Sequence, residues 1–513
     1  MTVTEHPSAL EADPRRGAGR PRLLWPLVFV VGAASLGAEI AAARLLAPYF
    51  GASTIIWANT IATVLVALSA GYAIGGRLAD RRGDVGGLCV IVLLAAVLLA
   101  LVPVLADPFL RLSVSALGSL SVGGFLGSLV AVLVLVAVPV LLLGTVAPYA
   151  NRLAVESVEH TGTVTGRLYA ISTAGSLVGT FLAALLLIPV VGSHRTFLVF
   201  ALALALIAMP GLRSPWRWLV PLGIAGLLVL PPPAIGAATP GARILFEGET
   251  PYQYVRVVQL PDGTRWLQLN EGVAIHSLYR PGSYLTGGYW DDFLVLPFAG
   301  RSRPPARVAI LGDAAGTIAR AYGHYYPDTR VDAVELDGRL SALGRRYFDL
   351  RGPRLHLYTA DARPWLQASH ARYDTIFVDA YRQPYIPFYL VTREFFALVR
   401  RHLTPGGTML VNVGHLPGSD ALEKVVAATV RTAFPSILSD RVSATNSIVV
   451  AGTGRLDASR LPSLSPEPLR SLAIAVSREM GNPPRGGSVY TDDRAPVEWL
   501  TDLSLLRYAG GAR

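Results

Sequence analysis

Arg307-Val308-Ala309-Ile310-Leu311-Gly312-Asp313-Ala314-Ala315-Gly316-Thr317 is an apolar run that stops at a turn of small residues. The run is as long as one buried strand. The turn lets the backbone reverse tightly, expose amides at a helix start and approach a ligand closely. The pattern repeats downstream. Residues 331–335, 355–359, 375–379 and 408–413 are short β-rich runs, with helix-length stretches reaching about Tyr325 and about Phe348 between the first of them. Strands joined by such crossovers lie mostly parallel, and their ligands bind beyond the carboxyl ends. Residues 301–513 are therefore expected to form an α/β, Rossmann-like domain.

Working upstream, 243–246, 254–260 and 264–269 read as short strands, the last two joined by a hairpin turn at Pro261-Asp262-Gly263. A small β unit, 243–300, opens the soluble half. Before it, Pro231, Pro232 and Pro233 end any helix. The 513 residues are 52% hydrophobic and only 16% charged, too apolar for a wholly soluble chain. Seven runs approach the length of a bilayer-spanning helix: 24–46, 53–74, 86–106, 122–145, 166–190, 195–211 and 217–236. Residues 24–236 are thus expected to be a transmembrane domain of about seven helices behind a basic tail, 1–23, with the lipid bilayer as its partner.

Arginines set the expected orientation. Arg15, Arg16, Arg20 and Arg22 precede the first run, Arg77, Arg81 and Arg82 follow the second, and Arg152 and Arg167 separate the fourth and fifth. Positive-inside bias makes all these ends, the N-terminus included, cytoplasmic, which fits a multi-pass protein of the cell membrane. Seven crossings would then leave the C-terminal half outside, whereas a domain that draws on intracellular metabolites has to lie inside. An element at 107–121, or a last run lying along the surface, would remove the conflict in favour of a cytoplasmic domain. Glu39 and Arg44 in the first run form a candidate polar site in the membrane; helix-to-helix glue and snorkelling to the interface are the structural readings. Gly76-Arg77-Leu78-Ala79-Asp80-Arg81-Arg82-Gly83 resembles the loop between the second and third helices of major facilitator transporters, though it also reads as a plain positive anchor.

The formal charge of +10 does not mark a nucleic-acid partner. Residues 1–235 hold 14 Arg and 9 acids, leaving 31 basic and 26 acidic residues, and Lys424 is the only lysine. A lone Cys89 excludes an intramolecular disulfide framework. In the C-terminal half no His, Cys or acid spacing suits a metal, and none is expected.

The strand ends carry the candidate chemistry. Gly312, Asp313, Ala314 and Gly316 form the first turn, and Glu335 lies 23 positions after Gly312, where an acid accepts both ribose hydroxyls. Asp361 with Ala362 follows the third strand, suited to an adenine edge or, equally, to capping the next helix. Asp379 ends the fourth, over the same crevice; a turn-stabilising carboxylate is its bland alternative. With no lysine behind the glycine turn, a P-loop hydrolase is excluded. NAD and S-adenosyl donors remain.

At these residues the chain resembles the spermidine synthase family over about 247–403, and as a whole it looks like the bacterial, membrane-fused branch. Pro251-Tyr252-Gln253-Tyr254 is similar to the family's opening Tyr-Gln, which implies that Gln253 contacts the thioadenosine. Residues 312–317 fall on its glycine-aspartate loop, Val334-Glu335-Leu336-Asp337 on its ribose motif, and Asp361-Ala362 on its adenine motif. Asp379 matches the first aspartate of Asp-x-x-Asp, implying a general base that takes a proton from an attacking amine. Tyr252, Tyr289, Asp291 and Tyr381 are the implied acceptor contacts. The acceptor side departs from the pattern: Arg382 and Ala314 stand where acids are expected, Tyr289-Trp290-Asp291 replaces Tyr-His-Glu, and the glutamine after Gly272 is absent.

The resemblance implies a multi-spanning α-helical membrane domain plus an α/β Rossmann-like S-adenosylmethionine-dependent transferase domain with a small N-terminal β unit. Its expected reaction moves an aminopropyl group from decarboxylated S-adenosylmethionine to an amine (polyamine) acceptor. Methyl transfer from S-adenosylmethionine, or a transporter or sensor with a non-catalytic nucleotide domain, are the alternatives. A homodimer is expected by analogy.

Overall fold

In lipid a backbone must satisfy its own hydrogen bonds, so apolar runs become helices. The computed structural model describes residues 21–50, 54–81, 83–117, 123–155, 161–230, 241–270, 274–381 and 385–509. Its helices begin with α1 (Pro21–Phe50), α2 (Thr54–Arg81), α3 (Val85–Leu117) and α4 (Gly123–Val132), which passes through a π-helical stretch into α5 (Val138–Ala154). Then come α6 (Thr161–Phe181), a second π-helical stretch, α7 (Ile188–Ala208) and α8 (Leu219–Val229). Five helical stretches among the described residues are long and apolar enough to cross a membrane: Leu23–Leu46, Ile56–Arg81, Val85–Ala106, Gly127–Ala154 and Thr161–Gly211.

The runs expected separately at 166–190 and 195–211 thus lie in one 51-residue stretch. Gly192, at φ 85° and ψ 165°, breaks its helical path. The run expected at 217–236 is helical for only 11 residues among those described, about 16 Å and too short to cross. No separate element starts at 107, because α3 continues to Leu117. The basic tail, apart from its last three residues, lies outside the described residues. Glycines let helices touch: a Cβ on Gly175 would sit 2.1 Å from the Phe29 carbonyl oxygen, and one on Gly179 2.1 Å from that of Ala33. Residues 76–81 are the end of α2, where Asp80 pairs with Arg152 at 3.7 Å. Glu39 and Arg44 are both half-buried on α1.

Two compact units emerge among the described residues, one drawing on those within 21–42, 60–106 and 131–230, the other on those within 43–59, 107–130 and 241–509. In the second, β1 (Arg243–Glu249), β2 (Tyr254–Gln259), β3 (Arg265–Leu269) and β4 (Ile275–Tyr279) form an antiparallel sheet in chain order. The following segment, with Trp290, Phe293 and Phe298, packs into the core of the larger sheet. That sheet is laid down as β5 (Arg307–Leu311), α9 (Thr317–Tyr325), β6 (Arg330–Glu335), α10 (Gly338–Tyr347), β7 (Leu355–Thr359), α11 (Ala362–Ala368) and β8 (Tyr373–Val378). It continues with α12 (Arg393–Arg401), β9 (Leu403–Gly414), α13 (Ala421–Arg431), β10 (Ser436–Asp440) and β11 (Asn446–Gly452). The chain closes with α14 (Leu461–Leu464), α15 (Arg470–Glu479), β12 (Met480–Gly481) and α16 (Val497–Ala509).

Strand order is β12-β10-β11-β9-β8-β5-β6-β7. β9, β8, β5, β6 and β7 are parallel, and β11, β10 and β12 form an antiparallel edge. The order reverses between β5 and β8, and a crevice opens beyond strand ends at such a switch.

Candidate active site

The ends of β5 and β8 meet at the switch point. Gly312, at φ 92°, has no room for a side chain: a Cβ there would lie 2.6 Å from the Asp379 carbonyl oxygen. Ala314, at φ 48°, occupies left-handed backbone that alanine adopts only at a cost of about 1 kcal/mol. Its amide donates to Glu335 Oε2 at 2.9 Å, and the Ala315 amide donates to Ser277 Oγ at 2.9 Å. Both amides, expected to face a ligand, are taken up within the fold: that of Ala315 by Ser277, and that of Ala314 by the Glu335 carboxylate, whose other oxygen accepts the Asp337 amide at 2.9 Å. Gly316 is a packing glycine at φ 90°, where a Cβ would lie 2.3 Å from Leu350 Cδ1.

A cavity of about 820 Å³ lies over these ends. Gln253, Gly312, Asp313, Ala314, Glu335, Asp361 and Ala362 line it together with Asp379, Tyr252, Tyr289 and Tyr381. The sheet therefore gathers almost every sequence-derived site residue of the α/β half into one cavity. Asp361 combines two readings: Oδ1 caps α11 by accepting the Arg363 amide at 3.1 Å, while Oδ2 accepts the Tyr389 hydroxyl at 2.7 Å on the cavity wall. Two residues stay outside. Gly316 does not line the cavity, and Asp291 is consumed locally, accepting the Thr286 and Gly287 amides at 2.8 and 2.7 Å and the Thr286 hydroxyl at 2.8 Å. Arg382 and Gly272 lie outside the described residues.

Asp379 is held from two sides. The Tyr289 hydroxyl donates to Oδ2 at 3.0 Å, and Asn412 Nδ2 donates to Oδ1 at 2.8 Å. Burial pushes the Asp379 carboxyl up to about 7, a rise that these two hydrogen bonds moderate. Burial likewise raises Glu335 to about 7, against the pull of the Asp337 and Ala314 amides. Asp313 is 5% exposed, and neither of its carboxylate oxygens has a hydrogen-bond partner. Burial first, then the nearby Glu335, drives its carboxyl well above the ordinary range.

Asn412 was missed in the sequence, although it sits near the carboxyl end of the fifth expected strand. Its own orientation is fixed by Asn446 Nδ2, which donates to Asn412 Oδ1 at 3.0 Å from the unforeseen strand β11. His276, on β4, lines the cavity with Nε2 unpartnered and is held near-neutral by burial, its value lowered to about 4. Among the described residues, no three His, Cys, Asp or Glu converge to hold a metal ion.

A glycine turn, a ribose-type acid and a second strand-end carboxylate over one crevice define the class: a Rossmann-like nucleoside-binding domain, here preceded in the chain by apolar helices. Within that class the chain resembles bacterial polyamine aminopropyltransferases. It is 32% identical over 291 residues to a probable polyamine aminopropyl transferase of Bifidobacterium longum, covering 52% of this chain and 64% of that one, just under two thirds of the relative's length. It is 26% identical over 456 residues to polyamine aminopropyltransferase 1 of Ralstonia nicotianae, covering 80% of this chain and 79% of that one. A crystal structure of a probable spermidine synthase from Corynebacterium glutamicum superposes with a TM-score of 0.37 at 21% identity, covering 49% of this chain and 98% of that one. The sequence matches no family model.

Proposed function

We propose that this protein is a membrane-tethered transferase that moves an aminopropyl group from decarboxylated S-adenosylmethionine to an amine. The observation that carries the reading is Asp379: a carboxylate fixed by Tyr289 and Asn412, raised to about 7, and opening onto a cavity shared with Glu335 and Asp361. Glu335 would take the ribose hydroxyls, Asp361 the adenine amino group, and Gln253 the thioadenosine. The attacking nitrogen forms a bond to the carbon beside the sulfonium as the carbon–sulfur bond breaks. That electron pair neutralises the sulfur, and the proton on nitrogen passes to Asp379.

Asp313 favours the decarboxylated donor over the carboxylated one. A buried carboxyl held protonated by its surroundings ionises when a cationic tail arrives to pair with it, and a tail that carries its own carboxylate already neutralises that cation and gains less from the pairing. Calorimetric titration of the full chain in detergent tests this: wild type should bind decarboxylated S-adenosylmethionine more tightly than S-adenosylmethionine, and Asp313→Asn should narrow the gap. Preference for the carboxylated donor in wild type would move the reading to methyl transfer.

The helical segments support a cytoplasmic domain. If Thr161–Gly211 crosses twice about Gly192 and α8 does not cross, six passages return the chain to its starting side. Protease accessibility of the soluble half in oriented vesicles tests that count. The amine acceptor, and a second copy of this chain as partner, are part of the same proposal.

A further inference from the structure

The segment before α16 carries Thr491-Asp492-Asp493, which no role above uses. Asp492 lies 129 positions from Arg363, yet its carboxylate takes both ends of the Arg363 guanidinium fork, Oδ1 from Nη1 at 2.7 Å and Oδ2 from Nη2 at 2.5 Å. Its Oδ1 also accepts the Thr392 hydroxyl at 2.7 Å. Backbone bonds fasten the same stretch to the start of α12: the Arg393 amide donates to the Tyr490 carbonyl at 2.9 Å, and the Asp492 amide to Glu394 Oε2 at 3.0 Å.

Arg363 connects this clasp to the cavity. Its amide donates to the capping Asp361 Oδ1, and its Nη1 donates to the Tyr389 carbonyl at 2.9 Å, while the Tyr389 hydroxyl donates to Asp361 Oδ2. A bidentate pair fixes the guanidinium in plane as well as in distance, which a point charge would not do. Beyond the clasp, α16 places Glu498 and Thr501 on the same cavity wall.

We propose that Asp492 is a positioning residue for purine recognition: through Arg363 and Tyr389 it holds the Asp361 carboxylate in the orientation that accepts a 6-amino group. This rests on the donor reading above, in which Asp361 meets the adenine edge. The C-terminal segment is then part of the donor site.

The test is binding of methylthioadenosine, its 6-oxo counterpart and its 2′-deoxy counterpart to the full chain in detergent. Wild type should prefer the 6-amino over the 6-oxo purine by about tenfold or more, since a carbonyl facing Asp361 is repelled. Asp492→Asn and Tyr389→Phe should each reduce that ratio to about threefold or less while the ribose-dependent preference, set by Glu335, stays at its wild-type value. An unchanged purine ratio in Asp492→Asn overturns the inference, and so does loss of both preferences together, which marks a general loosening. A wild type indifferent to the 6-position would sink the donor reading itself.

Discussion

A carboxylate that takes a proton from an ammonium group near neutrality works best with a pKa close to the working pH. Burial brings Asp379 there, and its two neutral donors stop the rise at about 7. As the proposed base Asp379 acts when ionised, so turnover should rise with pH through about 7 and fall away below, read as the acid limb of kcat/KM. Asn412→Ala removes the hydrogen bond that lowers this pKa, so the limb should move to higher pH and kcat should fall at pH 7, with donor affinity unchanged. Glu335, Asp361 and Asp379 were legible because the end of a parallel strand is a fixed address in the fold. Asn412 shares that address, yet an amide gives no charge signal. Asp291 misled because its neighbours Tyr289 and Trp290 line the cavity while its own side chain turns back to Thr286 and Gly287.

At the scale of elements, β6 carries a charge into the sheet's interior. Asp332 is fully buried and accepts from Arg307 at 2.6 and 2.9 Å, Arg330 at 3.1 Å and the Tyr373 hydroxyl at 3.1 Å. Asp332→Ala leaves those donors without their acceptor and should destabilise the β5–β6 region by about 3 kcal/mol, measured as faster amide exchange of both strands in the full chain. The five parallel strands could be read from alternation alone, whereas β10, β11 and β12 could not. Antiparallel edge strands need no crossover helix and leave only short runs such as 446–452. The separation of the runs 166–190 and 195–211 was legible, because Gly192, at φ 85° and ψ 165°, interrupts the helical path between them within the stretch 161–211.

Across the whole molecule, buried carboxylates set how stability responds to pH. Asp292 and Asp440 are 7% and 1% exposed, and burial raises both above the ordinary range; the nearby Asp440 and Asp291 push Asp292 further up, whereas the interaction with Asp292 moderates the rise of Asp440. A folded state that holds a proton more tightly than the unfolded chain is favoured at low pH and loses that advantage as pH rises through about 7 to 8. Asp292→Asn should therefore raise the apparent unfolding temperature of the full chain more at pH 9 than at pH 6; equal shifts at both would contradict a proton held by the buried Asp292 carboxyl. That apolar helices precede an α/β domain was legible from composition, while crossing number depends on where helices break and stop, which hydropathy averages over. The central claim, that Asp379 drives group transfer, is tested most directly by single-turnover product formation from decarboxylated S-adenosylmethionine and putrescine in wild type and Asp379→Asn, with donor affinity measured alongside. The account predicts product in wild type and at least a hundredfold slower formation in Asp379→Asn at unchanged donor affinity, about the contribution of a positioned general base. Equal rates in the two proteins would contradict it.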